Sequence, residues 1–207
     1  DGRFERPTVD ITLARPNETL GRHQVRAHLD PTPAGYRLTA SGGSTLGDFD
    51  LRGGLDLPKG GRATIVIDAL DAGGIKASGS LLAADGGFDG TLNVGGGGGV
   101  TGVISFAPIK GVQRIEVHLD AANAQVLGNA VLRRGRLDLV TMLDPKGATV
   151  EASAKGTGLR RGSLGLARFD GTASLRGGVG TVKAAIAGSR GRAFDIQIAI
   201  VTAISST

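Results

Sequence analysis

The sequence has no cysteine and no tryptophan, and only one tyrosine and six phenylalanines among its 207 residues. Without cysteine there are no disulfides and no thiolate metal sites; compartment stays open, because oxidising and reducing spaces both tolerate cysteine-free proteins. The shortage of aromatics excludes more. A thick two-sheet sandwich usually places large aromatics between its sheets. Membrane barrels carry aromatic girdles on strands of about 9–11 residues, whereas the strands here read at about seven. Nucleic-acid surfaces interleave aromatics with basic groups, and no aromatic interleaves with the basic pairs Arg133-Arg134 and Arg160-Arg161. No signal peptide is visible, and the most apolar run, 196–204, is too short to cross a bilayer as a helix. The chain opens at Asp1 without Met and reads as a piece excised from something longer.

What is present is a short apolar/polar alternation that restarts about every dozen residues, with glycine at nearly every restart. In Phe49-Asp50-Leu51-Arg52-Gly53-Gly54-Leu55-Asp56-Leu57, the apolar residues point one way and the charged ones the other. That is the side-chain period of a strand with one greasy and one wet face. Glycine supplies 36 residues. Some pairs mark tight turns (Gly53-Gly54, Gly73-Gly74, Gly86-Gly87, Gly177-Gly178), and others (Gly79, Gly90, Gly102, Gly171) fall on the apolar face, where they permit bulges and curvature. The net charge of +5 comes from Arg and Lys that alternate with Asp along the strands, which describes a solvated outer face.

The pattern predicts an all-β fold: a long, curved, mainly antiparallel sheet folded along its length, with about thirteen short strands and little or no helix. The strands fall near Val9–Leu13, Gln24–Leu29, Tyr36–Ser41, 49–57, 63–69, 75–82, 88–94, 100–106, 113–121, 136–143, 148–156, 163–175 (one strand or two), 180–188 and 194–201. Connections of a few residues force neighbours to pair as hairpins. Residues 122–135 are open between loop, bulged strand and helix. The chain divides into leading strands over 1–44 and a main region over 45–207, one continuous fragment. Imperfect repeats, with Phe-Asp at 49–50, 88–89, 169–170 and 194–195, suggest strand pairs added along one axis without the fixed period of a solenoid.

Catalytic chemistry is not visible. Gly97-Xaa-Gly99-Xaa-Xaa-Gly102 matches a dinucleotide fingerprint in letters, but it leads into a strand and offers no helix N-terminus for a pyrophosphate. His23 and His28 differ in strand parity, so they should face opposite sides of one strand. His118 lies on the polar face beside Glu116 and Asp120. Gly162-Ser163 and Gly188-Ser189 miss the nucleophile-elbow spacing and have no histidine near. The reading is therefore a non-enzyme with no catalytic residues, no metal and no cofactor. It does have a continuous apolar strip: Ile65, Ile67, Ile75, Leu81, Phe88, Leu92, Val94, Ile104, Phe106, Ile115, Val117, Leu119, Leu137 and Leu139. Such a strip is either a core buried against itself or a groove.

Several segments resemble one family. Leu51-Arg52-Gly53-Gly54-Leu55-Asp56-Leu57-Pro58, Gly111-Val112-Gln113-Arg114-Ile115, Leu132-Arg133-Arg134-Gly135 and Gly188-Ser189-Arg190-Gly191-Arg192-Ala193-Phe194-Asp195 are similar to a middle stretch of TamB (translocation and assembly module) chains, within the AsmA-like, bridge-like lipid-transfer group. The likeness covers about residues 45–200. It implies a β-taco, a curled sheet with an aliphatic groove that would shield phospholipid acyl chains between inner and outer membrane. It also implies a periplasmic location, an inner-membrane anchor elsewhere in the full protein, and an outer-membrane assembly partner of the BamA-like type. Nucleic acid is not an expected partner, and the strand 194–201 is expected to self-associate as an open edge. The alternative is a structural or adhesive β-solenoid with a dry core.

Overall fold

The computed structural model describes residues 7–13, 23–44, 47–95, 97–126 and 130–202. They form fourteen strands and no helix: β1 (Val9–Leu13), β2 (His23–Pro31), β3 (Gly35–Ser44), β4 (Gly47–Asp56), β5 (Thr64–Ala72), β6 (Ile75–Ala84), β7 (Gly87–Val94), β8 (Val100–Ile109), β9 (Val112–Val126), β10 (Ala130–Leu143), β11 (Thr149–Arg161), β12 (Leu164–Arg176), β13 (Val179–Arg190) and β14 (Arg192–Thr202). All belong to one sheet in strict sequence order. Every pair is antiparallel, and β1 and β14 are its two edges, so the sheet is not closed. This is the predicted class, with fourteen strands instead of about thirteen. It is not a parallel solenoid, because each strand returns beside the one before it.

Three local readings change. The segment expected at 163–175 as one strand or two is the single strand β12, Leu164–Arg176, with Ser163 in the turn before it. Residues 122–135 continue the ends of β9 and β10, which pair as far as Val126↔Ala130; residues 127–129 lie outside the described set. The strands are also longer than seven residues, reaching 15 in β9 and 14 in β10. Glycine contributed: the expected segments 136–143 and 148–156 stop at Gly135 and Gly156, yet these two sit directly opposite each other inside the ladder, and Gly53-Gly54, expected as a turn, lies inside β4. The glycine run before Val100 is the β7–β8 connection, as expected.

Curvature follows from glycine facing leucine. Gly79 of β6 stands opposite Leu92 of β7, and Gly90 of β7 opposite Leu81 of β6. A Cβ on Gly79 would lie 2.1 Å from the Thr91 carbonyl oxygen, and one on Gly90 2.2 Å from that of Ser80. Neither strand can carry a side chain there, so the backbones close in and each leucine folds over the opposing glycine. Cα atoms of β6 come within 8 Å of β8, and those of β7 within 8 Å of β9. A flat sheet would keep strands two apart at about 9.6 Å.

A crease crosses four strands further on. Asn123 and Arg133, Arg133 and Gly158, and Gly158 and Ala167 are skipped in otherwise continuous ladders. Asn123 and Gly158 have φ of 50° and 71°, and β12 carries an extra residue between Leu166 and Arg168 against β13. Alternation slips along this line. Ala121 and Ala124 both face the apolar side, as do Leu132 and Gly135, while Arg133 and Arg134 are both exposed. The hairpin end beyond the crease thereby turns toward the apolar side, and Ala124 is fully buried with Val100, Val94 and Ala77.

Candidate functional site: the apolar face

The registers align the predicted strip into rows. The central row takes one residue from every strand: Val9, Leu29, Leu38, Gly53, Ile67, Gly79, Leu92, Ile104, Val117, Leu139, Ala152, Ala173, Val182 and Ile200. Fourteen strands at about 4.8 Å make this row about 60 Å along its contour. Ile65, Leu81, Phe106 and Ile115 fall in the row on one side, and Val94, Leu119 and Leu137 in the row on the other. Ile75 pairs with Ala72 and Phe88 with Ala83 at the flanks. All fourteen predicted residues therefore share one face. Away from the hairpin ends, that face carries no charged side chain among the described residues.

Among the described residues no second sheet or helix covers this face. The chain exposes 13789 Å², against about 9,000 Å² for a compact globular chain of its mass. Among the described residues no large side chain is fully buried. The face is nevertheless not uniform. In the tightly curled centre, Ile67 (8% exposed), Leu81 (8%) and Leu92 (5%) pack against Ile65, Leu70, Ile104 and Phe106. Toward the C-terminal edge, Ile196 (46%), Ile198 (41%) and Ile200 (51%) stand open. The two sequence readings of the strip, core and groove, thus divide by position: it fills itself over β5–β10 and is bare over β14. The sequence-based selection stopped at Leu139 and missed the open part. The alternation Phe194-Asp195-Ile196-Gln197-Ile198 was the signal for it.

Two polar side chains interrupt the middle of the face, and both are tied to backbone. Thr141 donates from Oγ1 to the Thr149 carbonyl at 2.8 Å. Gln113 accepts the Phe88 N–H at 2.6 Å, and its Nε2 donates to the carbonyls of Phe88 at 3.1 Å and Arg114 at 2.8 Å. Gln113 is on β9 and Phe88 on β7, so the bonds pass over β8. The β7–β8 ladder stops at Gly90↔Phe106. The next pair on that register would set Phe88 against Pro108, which has no N–H to give. Gln113 supplies the missing partner, and Gly87 makes room for it: a Cβ there would lie 1.9 Å from Gln113 Oε1.

The opposite face is polar and shallowly indented. Four depressions of about 340 to 580 Å³ open there, the largest lined by Asp138, Glu151, Ser153, Thr172, Ser174 and Lys183 among others. On the apolar face, the central side chains pack against one another. On the polar face His118 bonds Asp138 of the neighbouring strand at 2.8 Å and approaches Glu116 at 3.7 Å. The Arg136 guanidinium first, and then His118, hold the Asp138 carboxyl down at about 2, below its ordinary 3.8. His28 lies between Asp10 at 2.6 Å and Asp30 at 3.0 Å. These acceptors, Asp10 first, raise its pKa above the ordinary 6.5. The His23 side chain lies outside the described residues. The parity argument linking it to His28 does not apply, because Gln24 has φ of 45° and the β2–β3 register shifts there. Among the described residues no group of His, Cys, Asp or Glu is placed to hold a metal ion. Compared with known proteins, the chain matches no protein-family profile, no curated protein and no solved structure.

Proposed function

We propose that the chain is a non-enzymatic segment of a lipid conduit, whose aliphatic face shields phospholipid acyl chains as they pass between the inner and outer membranes of a cell envelope. The observation that carries this reading is the central row, fourteen strands long and uncharged, with no second layer over it among the described residues and with its side chains standing open toward β14. Such a face has no polar chemistry to offer a substrate. It does offer area: about 0.8 kcal/mol is gained per buried CH₂, so ten methylenes give on the order of 8 kcal/mol before ordering costs. The gain has no direction along the row, which lets a chain slide. A periplasmic setting, an inner-membrane anchor and an assembly partner of the BamA-like type belong to the same reading and rest on the segment resemblance.

The test uses photo-crosslinking residues at two adjacent positions of β14. One replaces Ile198, on the apolar face, and the other Gln197, on the polar face. Phospholipid captured from membranes at 198 and not at 197, read by mass spectrometry, supports the proposal. Equal capture at both positions, or capture at neither in a folded protein, refutes it.

A further inference from the structure

Three hairpins, β9–β10, β11–β12 and β13–β14, point to the same end of the sheet. Residues 122–126, 130–135, 156–169 and 185–194, which build that end, contain Arg133, Arg134, Arg160, Arg161, Arg168, Arg190 and Arg192 and no acidic residue. That is more positive charge than the chain's net +5, so the rest of the chain nets negative. All seven side chains are exposed. Among the described residues only Arg168 has an ion-pair partner, Asp195 at 3.5 Å. Arg190 and Arg192 are directly opposed in the ladder, an arrangement that destabilises a strand pair unless a counter-charge sits between them. Arg134 and Arg168 share one row on either side of Thr157, about 9.6 Å apart across two strand spacings. The open isoleucines 196, 198 and 200 follow directly along β14.

We infer that this arginine end is a binding surface for the phosphodiester head groups of anionic phospholipids, an inference that rests on the acyl-conduit reading above. Guanidinium pairs phosphate oxygens bidentately, and Arg161, Arg190 and Arg192, which share strand parity with Leu159 and Phe194, stand at the rim of the apolar face, which takes the chains of the same molecule. A nucleic acid would use the phosphate affinity but not the isoleucines, and it lacks a stacking platform here: Phe169 and Phe194 lie on the apolar face, opposite Gly156 and Gly188.

The experiment measures binding of the chain to vesicles of phosphatidylcholine alone and of phosphatidylcholine with equal phosphatidylglycerol. Binding should require phosphatidylglycerol and weaken with added salt. The double variants Arg133→Gln/Arg134→Gln and Arg160→Gln/Arg161→Gln should each weaken it about thirtyfold. Lys59→Gln/Arg62→Gln removes the same charge from the opposite end and should change it less than threefold. Equal losses in all three variants would reduce the effect to net charge and overturn the inference. So would binding indifferent to phosphatidylglycerol, or tighter binding to a short DNA duplex than to the vesicles. Uptake of the fluorescent fatty acid cis-parinaric acid, measured in parallel, reads the acyl face alone. Uptake without phosphatidylglycerol preference overturns the arginine assignment and leaves the conduit standing, and absent uptake overturns the conduit itself.

Discussion

Replacing Gln113 with leucine should cost about 2–3 kcal/mol of stability. The amide is the only buried polar side chain among the described residues, and it satisfies both backbone groups of Phe88. Leucine fills similar volume but leaves one donor and one acceptor unpaired, each worth about 1–3 kcal/mol when buried. The Phe88 side chain is exposed, so water reaches part of the site, and the lower half of that range applies. For a chain of this size, the loss should lower the melting temperature by roughly 5–10 °C. Gln113→Glu gives a second signature. The carboxylate can still accept the Phe88 N–H, but it faces the carbonyl oxygens of Phe88 and Arg114 with nothing to donate. Burial and those oxygens favour the protonated acid in the folded state, which raises its pKa above the unfolded value of about 4.3. Below that value both states are protonated and the variant should resemble the wild type. As pH rises through 4.3 toward the folded pKa, the unfolded state ionises first and stability falls. Thermal melts from pH 3.5 to 8 read both effects. A leucine variant within about 0.5 kcal/mol of wild type, or a glutamate variant whose deficit is independent of pH, would show that the clamp contributes nothing.

Gly90→Ala should destabilise by about 1–3 kcal/mol in a urea titration, since its Cβ meets the Ser80 carbonyl at 2.2 Å, whereas Gly95→Ala, with nothing within 4 Å, should be near neutral. The His28 NMR titration midpoint should lie above 6.5, and Asp10→Asn should lower it more than Asp30→Asn does. Because that pKa is raised on folding, the contribution of the Asp10–His28 contact is fully present below about 6.5 and is lost as pH rises through the folded midpoint, loosening β1 from β2. At the other edge, light scattering should show the chain self-associating with concentration through β14, which carries only Arg192 and Asp195 and no proline along its length. Successive N–H groups of a strand point to opposite edges, so of Gln197→Pro and Ile198→Pro one should suppress association with little loss of stability and the other should break a bond to β13; association unchanged in both would place the contact elsewhere.

The fold was legible where alternation was clean. Phe49 to Leu55 and Phe88 to Val94 read directly as strands with one apolar side, and hairpin spacing alone required antiparallel neighbours. Glycine does two jobs, and two boundaries failed on it: β10 and β11 were cut short at Gly135 and Gly156, whereas the strands through Gly79 and Gly90 were legible. At Gly73-Gly74 and Gly177-Gly178 it turns the chain, but at Gly79, Gly90, Gly135 and Gly156 it lies mid-strand and lets a neighbour fold over it. One residue type serves both purposes, and only the identity of the cross-strand partner separates them. Leu92 opposite Gly79 is information held on a different strand.

The face was legible and its openness was not. Parity assigns Ile67 and Ile198 to the same side equally well, yet Ile67 is buried and Ile198 exposed. Ile67 has a strand on each side and lies within the Gly79/Leu92 and Gly90/Leu81 interlock, whereas Ile198 is on the edge strand, with β13 on one side only and Ala184 opposite it. Curvature in the centre and the free edge at β14 together decide which part of an unbroken apolar row is core and which is surface. A charge introduced at Ile67 would report on folding, and the same charge at Ile198 on whatever the open end carries.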